Sequence, residues 1–216
     1  MNLLIENNSS LNLGFNAHAY AINGIMTRNN IYDMDCDVAA GKKANTQLSL
    51  KGSLLEKYGI REIRCIDCIF WAYDNDKSFK EFDTNQIEIK TNLYNAEHDR
   101  ISGTTIYNDG KINVDYLGAN GNDYNFCLTN TTDSHLTFDF DNITINDFTS
   151  SDTDYDLFDE ALLNNCQIVC TITVRDDFMK ANGLSDVSTI EWSMSIRMFG
   201  SHFNEYSVGP IICNVK

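Results

Sequence analysis

Two segments of this chain, Arg61–Tyr73 (REIRCIDCIFWAY) and Ser185–Phe199 (SDVSTIEWSMSIRMF), follow one pattern 124 positions apart. Ile66 aligns with Ile190, Asp67 with Glu191, Phe70 with Met194 and Ala72 with Ile196; outside them Gly59-Ile60 aligns with Gly183-Leu184 and Phe79 with Phe203. A period of this length is a duplicated domain rather than a solenoid. Any fold assigned to the first copy must therefore suit the second.

The match extends along the chain. Leu3-Leu4-Ile5-Glu6 reads as a strand with the turn Asn7–Ser10, against Phe126–Thr129 with Asn130–Asp133, at an offset of 123. Leu11, Leu13, Phe15, Ala17 and Ala19 alternate with polar residues, the period of a half-buried strand, up to the tight-turn signal Asn23-Gly24. Leu136, Phe138 and Phe140, ending at Ile145-Asn146-Asp147, are the second copy. Ile31–Val38 is strand-like and leads into a basic loop, Ala39–Lys43. The second copy is acidic there, Ser150–Glu160, and carries one extra residue that moves the offset to 124. Thr46, Leu48 and Leu50 match Cys170, Ile172 and Val174. Ser53–Gly59 reads as a short helix capped by Ser53 and closed by Gly59, and Asp176–Gly183 reads the same way. Glu81–Thr91 and Glu205–Val215 are the closing strands. Asn92–Gly103 is polar and without period, a linker. Ile101–Tyr107 and Lys111–Leu117 then form a hairpin around Asn108-Asp109-Gly110. The hairpin has no equivalent in the first copy. The first copy is thus expected to lack its opening strand: either the chain is part of a longer protein, or something else covers the exposed edge.

Short strands, Asn/Gly-rich turns and one helical turn per copy predict an all-β chain of two tandem immunoglobulin-like β-sandwich domains, residues 1–92 and 93–216. The run Ile5-Glu6-Asn7-Asn8-Ser9, then Ile22-Asn23-Gly24, then Val38–Asn45 (VAAGKKAN) resembles tandem immunoglobulin-like repeats of uncharacterised Firmicutes cell-envelope proteins. The second copy lacks the Gly-Lys-Lys loop. The resemblance implies a location outside the membrane, behind an anchor or zinc ribbon, and brings no catalytic residues. The odd cysteine count and the absence of a leader in this sequence leave a cytoplasmic location open.

Sixteen Lys and Arg against 31 Asp and Glu give a net charge of −15 and a pI near 4.4. Such a field repels phosphate backbones and anionic lipid, so neither nucleic acid nor a membrane surface is an expected partner. No apolar run reaches the roughly 18 residues a spanning helix needs. The seven cysteines never align with one another, and several align with hydrophobes of the other copy: Cys127 with Leu4, Cys213 with Ile89 and Cys68 with Trp192, while Cys65 aligns with Thr189. This is the pattern of free buried thiols, not of a disulfide framework.

Cys65-x-x-Cys68 has metal-knuckle spacing but lies inside a strand, where residues three apart point to opposite faces. The acidic runs Asp33/Asp35/Asp37, Asp74/Asp76, Asp139/Asp141 and Asp152/Asp154/Asp156 lack the glycine and glutamate of a calcium-binding EF-hand loop, which leaves only a loop site for calcium open. No cofactor is expected. No nucleophile elbow, phosphate-cradling glycine loop or zinc-protease motif is present, so no catalytic residue is assigned.

The organising strand itself holds the candidate site. The second copy fixes the faces: Ile190, Trp192, Met194, Ile196 and Met198 inward, Thr189, Glu191, Ser193, Ser195 and Arg197 outward. In that register Ile66, Cys68, Phe70 and Ala72 face inward, and Cys65, Asp67, Ile69, Trp71 and Tyr73 face outward. Ile69, Trp71 and Tyr73 therefore form an apolar outer row where the twin carries Ser, Ser and Arg. Such a row is covered by something: another part of the chain, a protein partner or second copy, or a sugar. The reading is a non-catalytic binding or structural module, with protein interaction at the bacterial cell envelope as its function. The alternative is a carbohydrate-binding module using Trp71 and Tyr73.

Overall fold

The computed structural model describes residues 1–27, 34–50, 52–76, 81–95, 100–150, 154–155, 161–199 and 206–215. Phe79, Phe203, Asp33, Asp152, Asp156 and parts of Ile31–Val38, Asn92–Gly103 and Ser150–Glu160 lie outside them. The described residues are all-β apart from two six-residue helices. It divides into two compact units, Met1–Asp99 and Arg100–Lys216, within the stretch read as a linker. The break follows Asp99 because the next residues are tied into the second unit: Arg100 donates to Asn165 O at 3.2 Å, and Ile101 N–H to Gln167 Oε1 at 3.0 Å.

The first unit contains β1 (Asn2–Glu6), β2 (Leu13–Ile22), β3 (Ile25–Met26), β4 (Asp35–Val38), β5 (Lys43–Gln47), α1 (Gly52–Lys57), β6 (Cys65–Asp74), β7 (Glu81–Asp83) and β8 (Ile87–Lys90). β1 pairs with β5. β2 pairs with β3, β4 and β6, and β6 with β7 and β8, all antiparallel. The expected closing strand Glu81–Thr91 breaks at Thr84, which bonds Phe70 in both directions: its N–H donates to Phe70 O, and its Oγ1 accepts the Phe70 N–H.

The second unit contains β9 (Thr104–Asn108), β10 (Ile112–Asn120), β11 (Asp123–Asn130), β12 (Leu136–Ile145), β13 (Phe148–Thr149), β14 (Asp154–Tyr155), β15 (Gln167–Thr173), α2 (Asp176–Ala181), β16 (Thr189–Met198) and β17 (Tyr206–Asn214). One sheet runs β9-β10-β11-β15-β14, the other β13-β12-β16-β17. Trp192 of β16 is the centre of the core between them. Its ring lies 4.7 Å from Phe126 of β11 and 5.7 Å from Phe140 of β12, centroid to centroid.

Strand pairings correspond between the units at most positions, although the irregularity lies at His18 in β2 and between Asp141 and Thr144 in β12. Leu13 faces Asp74 and Ile22 faces Ile66 in β2–β6; Leu136 faces Met198 and Ile145 faces Ile190 in β12–β16. Leu3 faces Thr46 in β1–β5, as Phe126 faces Cys170 in β11–β15. Both helices end identically. Gly59 and Gly183 take the left-handed conformation (φ 67° and 65°) that a side chain would oppose. The following amides, Ile60 and Leu184, reach back to Leu55 O and Met179 O. This is the Schellman closure that satisfies the last carbonyls. Ser53 differs from expectation: α1 starts at Gly52, so Ser53 lies in the first turn rather than at the cap.

Among the residues read as inward, Ile66, Cys68, Phe70, Ala72, Ile190, Trp192, Met194 and Ile196 are buried. Met198, at the end of β16, is 39 % exposed because the strand outruns the core there.

Candidate interaction surface

The outer row of β6 divides. Cys65, Asp67 and Ile69 are buried, whereas Trp71 and Tyr73 are half-buried. The two rings lie side by side, centroids 4.8 Å apart and tilted 36°. Tyr73 owes its position to Gly14, its partner across β2–β6. A Cβ on Gly14 would sit 2.3 Å from Tyr73 Cζ, so only glycine lets the phenol lie flat over that backbone. Burial, followed by the charges of Asp35 and Asp37, holds the Tyr73 hydroxyl above its ordinary pKa, and a hydrogen bond from Asn16 pulls the other way. On the far side of Trp71 stands His18, ring centroids 6.4 Å apart, whose Nδ1 lies 2.6 Å from Asp83 Oδ1. His18 occupies the one-residue irregularity in β2–β6, between the pairs Ala17–Phe70 and Ala19–Ile69. Such a bulge re-aims a side chain.

The same positions of the second unit are polar. Asn16 and His18 correspond to Asp139 and Asp141, and Trp71 and Tyr73 to Ser195 and Arg197. Ser195 Oγ donates to Asp141 Oδ2 at 2.6 Å, and Arg197 is paired with Asp139. Thus one framework carries a closed polar ladder in one unit and an aromatic pair flanked by a His–Asp contact in the other. His18 and Asp83 belong to this surface, although sequence reasoning missed them. The only signal was the alignment of His18 with an aspartate, which does not specify aromatic contact.

The seven cysteines are buried free thiols. Cys65 and Cys68 do not converge. Cys65 is paired across the strand with Lys90, and Cys68 with Ile87, whose carbonyl accepts its thiol at 3.6 Å. Of the acidic loops, Asp37, Asp74 and Asp76 are tied in by amides. Asn75 Nδ2 donates to Asp37, Asn12 Nδ2 to Asp76, and the Asp76 N–H to Asp74. No group of three or more His, Cys, Asp or Glu side chains able to hold a metal gathers among the described residues. No helix in them is long and apolar enough to cross a membrane. No protein-family model and no curated protein matches the chain.

Proposed function

We propose that this chain is a non-catalytic module of two immunoglobulin-like β-sandwich repeats that binds protein through the Trp71–Tyr73 face of its first unit. The observation that carries the reading is the replacement of the Arg197–Asp139 and Ser195–Asp141 ladder by Tyr73, Trp71 and His18 at the same framework positions. Arranging aromatic rings where a twin satisfies itself with polar pairs fits an anchor for another macromolecule. Placement at the bacterial cell envelope rests on the sequence resemblance alone.

The test is the double substitution Trp71→Ala with Tyr73→Ala. The reading predicts an altered association state or domain arrangement by sedimentation and X-ray scattering, with glycan retention unchanged. Loss of glycan retention from an unchanged monomer transfers the surface to the carbohydrate-binding alternative. If neither property changes, the surface has no such role.

A further inference from the structure

A second difference between the units lies on the inner side of β6, away from Trp71 and Tyr73. In the second unit β11 runs between β15 and β10. Its equivalent β1 pairs, among the described residues, only with β5. The direction of the unused hydrogen bonds is fixed. Met1 and Leu48 exchange N–H···O bonds, and Asn7 N–H donates to Lys42 O. By the alternation of an antiparallel pair, Leu3 and Ile5 also point to β5, whereas Asn2, Leu4 and Glu6 present their backbone groups to the open side. In the twin that side is used: Thr131 N–H, in step with Cys127 and Thr129, donates to Lys111 O at the start of the strand it faces.

Beside this edge lies an apolar groove of about 330 Å³, lined mainly by Leu3, Ile5, Phe15, Phe70, Ile87 and Ile89. Their equivalents Phe126, Leu128, Phe138, Met194, Ile211 and Cys213 are all buried. β10 covers them: Ile112 and Val114 are themselves buried, and the Tyr116 ring lies 5.5 Å from Phe126. The contrast is large at Ile87, 40 % exposed against 1 % for Ile211. An open strand edge beside an apolar groove is the geometry of β-strand addition.

We infer that the β1 edge of the first unit accepts an extended strand from a partner polypeptide, antiparallel to β1 and apolar at alternate positions. The strand takes the place that β10 holds in the twin. The pairs Val114–Leu128 and Tyr116–Phe126 give its register: one apolar side chain opposite Ile5, the next opposite Leu3, both turned into the groove. The main chain supplies affinity through the outward groups of Asn2, Leu4 and Glu6; the alternate side chains supply selectivity.

The probe is a synthetic peptide of β10's own sequence, Gly110–Asn120, titrated into the full chain. A control peptide carries Ser at the places of Ile112, Val114 and Tyr116. Saturable binding of one peptide per chain is expected, at least about tenfold weaker for the control and for the chain with Ile87→Lys, and with amide NMR shifts centred on β1. Ile87 is already partly exposed, so the lysine leaves folding intact, which an unchanged NMR spectrum of the first unit away from β1 and β8 checks. Absence of saturable binding overturns the inference, as does equal binding of the control peptide. Shifts centred on β11 also overturn it, because the peptide would then be displacing β10. If the chain alone sediments as a dimer that Ile87→Lys dissociates, the occupant is a second copy and the proposed partner strand is wrong.

Discussion

Asn7 and Asn130, 123 residues apart, make the same set of hydrogen bonds. The Nδ2 of Asn7 donates to the carbonyls of Leu11, Val38 and Ala39, and that of Asn130 to Ser134, Leu162 and Leu163. Each Oδ1 accepts the N–H and hydroxyl of the residue two places on, Ser9 or Thr132. Each backbone N–H donates to an equivalent carbonyl, Lys42 or Cys166. Both side chains are buried, each pinning the loop before one strand against the loop after another.

Removing either amide therefore orphans several buried carbonyls at once. Asn130→Ala is expected to cost about 3 kcal/mol in denaturant unfolding of the second unit, because groups stripped of partners in the interior bear their full desolvation penalty. Asn7→Ala should cost the first unit a similar amount. A loss under about 1 kcal/mol would mean that the loops hold without the knot.

Gly14→Ala is predicted to act through Tyr73. The new Cβ meets the phenol ring, and the displaced ring should cost about 1–3 kcal/mol as an overpacked contact. In the background Tyr73→Ala the same change should cost much less, so a double-mutant cycle will show strong coupling. Additive effects would contradict the seating of Tyr73 on Gly14.

Much of this framework was legible in the sequence, because strand alternation and turn residues are local signals. The change of offset from 123 to 124 is seen in the bonding: Thr27 N–H to Tyr20 O matches Ser150 to Ile143, while Val38 matches Leu162. Alternation also gave the inward row of β6. It could not reveal that Cys65, Asp67 and Ile69 on the other face are buried too, since period reports which way a side chain points and not what lies over it. Asn7 and Asn130 were legible only as turn residues, because a buried asparagine and a solvated one look alike in a sequence. His18 and Asp83 meet across 65 positions, beyond the reach of any local pattern.

The thiols should be unreactive in the native chain. Burial, reinforced by Asp67, pushes Cys68 up to about 12; burial, reinforced by Asp115, does the same to Cys127; and burial pushes Cys213 to about 11. Alkylation followed by mass spectrometry at pH 8 should label the native protein slowly and all seven cysteines after unfolding. Rapid native labelling would contradict the packing.

His135 gives the second unit an acid-sensitive element. Its Nδ1 accepts the Asn164 N–H at 3.3 Å, and burial lowers its pKa from about 6.5. As pH falls through 6.5 the unfolded chain takes up a proton before the folded one, so stability drops, and the loss levels off below the folded pKa. His135→Gln should remove that part of the pH dependence of unfolding. An unchanged slope would place the acid sensitivity elsewhere.

Both units share one framework, closed at β11 and open at β1. Hydrogen exchange of the free chain, read amide by amide, reads this difference. Exchange should be fast at Leu4 and Glu6, slower at Leu3 and Ile5, which bond to β5, and slow at Cys127 and Thr129, the twins of Leu4 and Glu6. Equal protection of Leu4 and Cys127 would contradict the claim, because the edge of β1 would then already be covered.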